Sequence, residues 1–236
     1  MMDRRRALML AQSADIDLHL NDILTLDGIL NTRNGHDASS QKWENLASTS
    51  FDFAKANNST DLVWGANYAN FESNNKRLYC GSNFLAGNSA LTIELVVKVT
   101  GIPNGLDSGN HYGIIYKNGS GAFATNITIA QYNNIGLSLY SPTYIGYLST
   151  GNSTKYIAIV LTPTKAKKYM NGELVSEADI SLNISNLSQY NYMGYSYNSQ
   201  SYYPYCNIYR FGVSGSELNA TEIEERYSYF RNRFSF

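Results

Sequence analysis

Residues 155–176, KYIAIVLTPTKAKKYMNGELVS, constrain the fold of this 236-residue chain more than any other stretch. Tyr156 to Leu161 is a near-continuous apolar run of strand-favouring residues, the pattern of a strand covered on both faces. Pro163 brings no amide hydrogen, so the strand must stop there. Lys165 to Met170 then starts a second strand. Asn171-Gly172 supplies the two positive-φ positions of a type I′ turn, and Glu173, Leu174 and Val175 lead back along a partner strand. The chain therefore contains a hairpin, and the strand before it needs cover on both sides.

The rest of the chain extends this pattern. Between Ala90 and Thr100, Leu91, Ile93, Leu95, Val97 and Val99 share one strand face, while Thr92, Glu94 and Lys98 occupy the other. Asp15 to Leu20 alternates in the same way, with His19 on its polar face. Asp22 to Thr32 reads as a strand ending in a turn, Phe51 to Trp64 as brief strands or irregular chain, and Arg77 to Cys80 as a short strand. Further strands are expected at Tyr112–Lys117, Ala122–Gln131, Ile135–Tyr140, Tyr144–Ser149 and Asn207–Val213. A spacing of about 8–12 residues with turn signals between is that of an antiparallel sandwich. No interval carries a helical period, which argues against a parallel α/β sheet. After the last strand, Asn219 caps a helix with Glu222, Glu224 and Glu225 in its first turns. Ile223, Tyr227, Phe230 and Phe234 form the stripe by which it packs on the sandwich. Residues 1–14 read as a short arm, which can form about two helical turns from Asp3 to Gln12. Residues 15–236 read as one domain.

Composition excludes several classes of function. Only 16% of residues are charged and the net charge is -1, so nothing marks the chain for nucleic acid or an anionic membrane surface. Arg4-Arg5-Arg6 is the local exception. No window has the length of a membrane span, and the apolar run Ala7–Ala11 is too short for a signal peptide. Cys80 and Cys206 are either two buried thiols or one bridge; they are not a disulfide framework. Tyrosine is abundant, with 20 residues, and concentrates in Tyr190–Tyr205, YNYMGYSYNSQSYYPY.

Three segments together resemble the concanavalin A-like lectin/glucanase jelly roll in its laminin-G-like form. They are ALTIELVVKV (90–99), KAKKYMNGELVSE (165–177) and NIYRFGVSGSELNATEIEERY (207–227). Upstream, LDGILNTRNGHD (26–37) and WENL (43–46) look like the opening of members found in phages and gut bacteria. The resemblance spans residues 22–234 in order. It departs from the family at Cys206, where a glycine usually starts the last strand, and at Gly212, where an arginine is common. It implies an all-β, antiparallel two-sheet jelly roll with a C-terminal helix. It also implies a lectin-like adhesion role in a phage or prophage virion, made without a signal peptide; a bacterial cell-surface location is the alternative. The leader MMDRRRALML looks like the start of some phage structural proteins, so Arg4, Arg5 and Arg6 are expected to anchor the chain to virion proteins, within a homo-oligomer or larger assembly.

The candidate chemistry follows from these readings. Glucanases share this fold, but a retaining glycosidase needs two carboxyls about 5–5.5 Å apart, which on one strand means acids two or four positions apart. No strand here carries that motif; Glu173, Glu177 and Asp179, like Glu222, Glu224 and Glu225, read as solvated. There is no Gly-x-Ser-x-Gly elbow, and His19, His36 and His111 read as surface residues. The chain is therefore expected not to be an enzyme. Related jelly rolls often hold calcium in their loops, which makes Asp27, Asp37 and Asp107 the ligands to check, with turn capping as the competing role. Glycan binding needs aromatic faces and neighbouring amides, and Tyr195, Tyr197, Asn198, Gln200, Tyr202 and Tyr203 offer both, with Asn191 nearby. The competing reading makes Tyr190–Tyr197 one strand, half core and half surface. Trp64 is read as buried. The expected partner is a bacterial surface glycan. A ligand-free virion decoration subunit and a glycoside hydrolase are the alternatives.

Overall fold

The computed structural model describes residues 22–57, 59–72, 76–101, 113–119, 127–131, 135–139, 144–148, 153–187, 189–195 and 204–236. Its early strands are β1 (Asp22–Asp27), β2 (Lys42–Trp43), β3 (Phe53–Lys55), β4 (Val63–Trp64), β5 (Ala69–Asn70), β6 (Leu78–Cys80) and β7 (Leu91–Val99). Four more follow as β8 (Gly113–Asn118), β9 (Ile127–Gln131), β10 (Ile135–Leu139) and β11 (Tyr144–Leu148). The last are β12 (Lys155–Leu161), β13 (Lys165–Met170), β14 (Glu173–Asp179), β15 (Asn191–Tyr195) and β16 (Cys206–Ser214), ahead of helix α1 (Ala220–Phe234). They form two antiparallel sheets. One is ordered β14-β13-β12-β7-β16-β5-β4 with β1 also on β16; the other is ordered β11-β10-β9-β8-β15-β6-β3-β2. This is the expected two-sheet jelly-roll sandwich. Expectations for residues 1–14 and for a strand at Asp15–Leu20 lie outside the described residues.

The hairpin forms as read. Ile157, Ile159 and Leu161 face the core between the sheets, while Tyr156, Ala158 and Val160 join a second cluster with Ile223, Phe230 and Phe234. β12 is therefore covered on both sides, by the second sheet and by α1. It ends at Leu161, before Pro163, and Asn171 and Gly172 take φ of 52° and 86° at the turn. The same helix covers the second face of β7: Thr92 and Glu94 are fully buried, and Val96 joins the cluster beneath α1.

Charge decides how α1 docks. Its start is a capping box, the Asn219 side chain accepting from the Thr221 and Glu222 amides while Glu222 reaches back to the Asn219 amide. Ile223, Phe230 and Phe234 are buried as expected, but Arg226 is buried with them and Tyr227 is only half-buried. Arg226 Nη1 donates to Glu94 Oε2 and to Asp22 Oδ1, the latter at 3.1 Å. Tyr156 donates to Glu94 Oε1 at 2.6 Å, and Arg210 Nη2 lies 3.0 Å from Asp22 Oδ2. Nearer the end of the helix, Arg233 Nε donates to Asp27 Oδ2 at 2.9 Å. Gly212 makes this network possible: a Cβ there would stand 2.7 Å from Arg210 Nη2. The space that a side chain at position 212 would need is filled by Arg210 instead.

Candidate aromatic platform on the second sheet

Alternation along two strands of the second sheet builds the candidate site. Leu78 and Cys80 of β6 are buried in the core, as are Asn191 and Met193 of β15, so Tyr79 and Tyr192 point outward and are half-exposed. The register sets Tyr192 opposite Tyr79 on one side and Lys117 of β8 on the other. The Tyr79 and Tyr192 ring centroids are 4.9 Å apart, and Tyr190, half-exposed just before β15, stacks on Tyr79 at 6.4 Å and 23°. Lys117 Nζ lies 5.0 Å from the Tyr192 ring centroid. Gly81 leaves the room the Tyr79 ring needs, since a Cβ there would stand 2.7 Å from the Tyr79 hydroxyl oxygen.

One buried amide holds the platform in register. Asn191 Oδ1 accepts from the Tyr116 hydroxyl at 2.8 Å and from Asn118 Nδ2 at 3.0 Å. Its Nδ2 donates to the Ser82 and Gln189 carbonyls at 2.9 and 3.2 Å. Asn191 is thus committed inside the protein and does not face a ligand, contrary to the expectation from sequence. Electrostatics around the row favour neutral groups. Burial, and then Tyr190 and Cys80, push the Tyr79 hydroxyl above its ordinary pKa. Burial, and then the Arg77 charge, lower the fully buried Lys117 to about 8.

The other residues singled out fall into place as follows. Tyr195 is the last residue of β15, opposite Ile114, while Tyr197, Asn198, Gln200, Tyr202 and Tyr203 lie outside the described residues. So do Arg4, Arg5, Arg6, His19, Asp107 and His111. Asp27 is 3% exposed, with Oδ1 accepting the Ile29 and Leu30 amides at 2.8 and 3.0 Å and Oδ2 accepting from Arg233. Its carboxylate closes a turn, the capping role read from the sequence, and also anchors the helix. Asp37 is exposed and held below its ordinary pKa by the Ser39 hydroxyl and then the Ser39 amide. Among the described residues no three His, Cys, Asp or Glu side chains gather as a metal site. His36 is exposed, and Trp64 is buried against Trp43, with ring centroids 5.4 Å apart. Cys80 and Cys206 are free buried thiols, both pushed above the ordinary thiol pKa chiefly by burial.

Among the described residues, Asp22 and Glu94 converge on the Arg226 guanidinium with their side chains fully buried under α1, while Glu44 and Asp52 converge on Arg33 nearer the surface. Glu173, Glu177, Asp179, Glu222, Glu224 and Glu225 are exposed, as expected. Sequence reasoning missed Tyr79, Tyr190, Tyr192 and Lys117 as site residues, although it marked the tyrosine-rich stretch Tyr190–Tyr205 that holds two of them. The signal for Tyr79 was the apolar-Tyr-apolar alternation of Leu78–Cys80; its pairing with Tyr192 has no local signature.

No protein-family model matches the chain, and no curated protein sequence does. Solved structures do. The binding domain of Paraclostridial Mosquitocidal Protein 1 superposes with a TM-score of 0.67 at 16% identity, over 91% of this chain and 53% of that one. The botulinum neurotoxin serotype D ligand-binding domain in complex with N-acetylneuraminic acid gives 0.64 at 18%, over 92% and 52%. A Trypanosoma rangeli sialidase in complex with sialic acid gives 0.63 at 12%, over 88% and 33%. The chain therefore spans about half the length of the toxin domains and a third of the sialidase. At these identities the likeness shows a shared β-sandwich jelly-roll fold.

Proposed function

We propose that the chain is a non-catalytic carbohydrate-binding sandwich that mediates adhesion to surface glycans. The observation that carries this reading is the Tyr79–Tyr190–Tyr192 platform, three half-exposed rings on one sheet face whose pyranose-facing surface and hydroxyls suit a sugar. Two structural neighbours hold sialic acid, which supports a sugar as the ligand class, although one fold hosts many functions. Tyr195, Tyr197, Asn198, Gln200, Tyr202 and Tyr203 continue the chain from the platform strand and belong in this reading to the same binding surface. The setting proposed is a phage or prophage virion, on the resemblance of residues 26–46 to phage-type members of the laminin-G-like branch.

A glycan array probed with the wild type, Tyr192→Ala and Tyr79→Ala tests this. An aromatic contact is worth about 0.5–1.5 kcal/mol beyond the area it buries, so each variant should weaken binding by up to about ten-fold while circular dichroism stays unchanged. An array blank for the wild type, with tight association to virus particles, would replace this reading by a ligand-free decoration subunit. Release of reducing sugar from a bound glycan would replace it by a hydrolase.

A further inference from the structure

The first sheet ends at β14, and two of the three exposed large apolar side chains among the described residues lie on this edge. Among the described residues β14 pairs only with β13, over seven residues, and Leu174 and Val175 are 52% and 48% exposed. Long edge strands with bare apolar side chains recruit other strands, so proteins cover or charge them. Glu173, Glu177 and Asp179 give β14 three carboxylates. Lys165 is shared between two of them, at 2.9 Å from Glu177 and from Asp179, so acid remains in excess.

The complement to this edge lies in the same chain. Asp3–Gln12, DRRRALMLAQ, sets three guanidiniums against one carboxylate and follows them with Ala7, Leu8, Met9 and Leu10. Where this segment joins the fold is also informative. Asp22 pairs with Ser214, Ser214 with Thr92, Thr92 with Val160, Val160 with Lys167, and Lys167 with Glu177. β1 thus starts on the same row of the sheet as Glu177, five strand spacings away, or about 24 Å. Ser13–Asn21 can span about 30 Å when extended. A tether of that length holds the segment near its own edge at a roughly millimolar effective concentration, well above that of any second copy in dilute solution.

We propose that residues 3–12 dock on the β14 edge of their own chain, with Arg4, Arg5 and Arg6 against its carboxylates and the Ala7–Leu10 run over Leu174 and Val175. The docked segment then closes the sheet to other chains. This inference is independent of the glycan reading, because the platform lies on the other sheet.

Two experiments on the full-length chain test it. In hydrogen exchange, Arg4→Glu/Arg5→Glu/Arg6→Glu should speed exchange at residues 173–179 about ten-fold or more while β7 and α1 are unaffected. Adding Glu173→Lys/Glu177→Lys/Asp179→Lys should restore protection. Separately, Leu8→Cys with Val175→Cys should oxidise to an intramolecular disulfide in a protein that sediments as a monomer. Unchanged exchange at 173–179 after arginine reversal would overturn the proposal. So would a disulfide found only between two chains, which would put the segment on a second copy, or no disulfide at all. Glycan binding retained in all these variants separates this question from that of the platform.

Discussion

The fully buried Asn191 carboxamide accepts from Tyr116 and Asn118 and donates to the Ser82 and Gln189 carbonyls. Asn191→Ala takes the acceptor from the buried Tyr116 hydroxyl and one acceptor from Asn118, and an orphaned buried group costs about 1–3 kcal/mol. The variant should lose about 2–3 kcal/mol, lowering Tm by about 5–10 °C in a calorimetric scan. That Tyr190–Tyr197 holds a strand, half core and half surface, was legible, but not which half Asn191 joins; the sequence reading set it beside a ligand. Nor were the partners of Asn191 legible, because Tyr116 and Asn118 lie more than 70 positions away. Lys117 makes a second prediction at this scale. Burial and the Arg77 charge lower it to about 8 from the ordinary 10.5. Below about pH 8 both folded and unfolded chains carry this charge, and the fold pays the full cost of burying it. Between about 8 and 10.5 the folded state sheds the proton that the unfolded chain keeps, so the wild type gains stability as pH rises. Lys117→Met should therefore be more stable than the wild type at pH 7, by up to about 3 kcal/mol, with the gap closing toward pH 10.5. Urea titrations at pH 7, 9 and 10 measure that gap, and a constant difference would refute the assignment.

Helix α1 was legible as an element and illegible as a contact. Asn219 with Glu222 three positions on, and Ile223, Phe230 and Phe234 on one stripe, specify a capped amphipathic helix from local spacing. That Arg226 belongs to its buried face depends on Glu94, 132 residues earlier, and on Asp22. For the same reason β7 read as having one polar face: Glu94 is polar, but its counter-charges arrive from β16 and α1. Removing one member of a buried ion pair leaves the other uncompensated, so Arg226→Ala should cost about 3–5 kcal/mol. Arg226→Met combined with Glu94→Gln removes both charges while keeping an acceptor for Tyr156. It should recover most of that loss, because replacing both partners of a buried pair is often close to neutral. A double-mutant cycle in guanidinium reads the coupling; additive costs would mean that the pair does not hold the helix. Asn219→Ala acts only at the exposed cap and should cost about 1 kcal/mol.

Across the whole molecule, periodicity announced individual strands far better than their neighbours. Leu91–Val99 and Lys155–Leu161 were plain from apolar pattern alone, and the β12–β13–β14 register followed from Pro163 and Asn171-Gly172. Two-residue strands such as Lys42–Trp43 and Ala69–Asn70 carry no period to detect and exist only because longer strands template them. The pairing of β1 with β16 joins Asp22 to Ser214 from opposite ends of the chain, and no local signal encodes it. One feature of the sequence did bear on the global arrangement: Tyr156, Ala158 and Val160 made β12 apolar on its second face, which demanded a third layer. α1 is that layer. Deleting residues 219–236 would uncover Val96, Tyr156, Ala158, Val160 and Tyr169 together, and would leave Asp22 and Glu94 with Arg210 alone of their two arginines. An exposed apolar patch of that kind, with buried charge beneath it, should drive association. The truncated chain is expected in the insoluble fraction, or as soluble aggregates that bind a hydrophobic dye. A monomer with an unchanged near-ultraviolet dichroism spectrum would show instead that the two sheets hold together without their third layer.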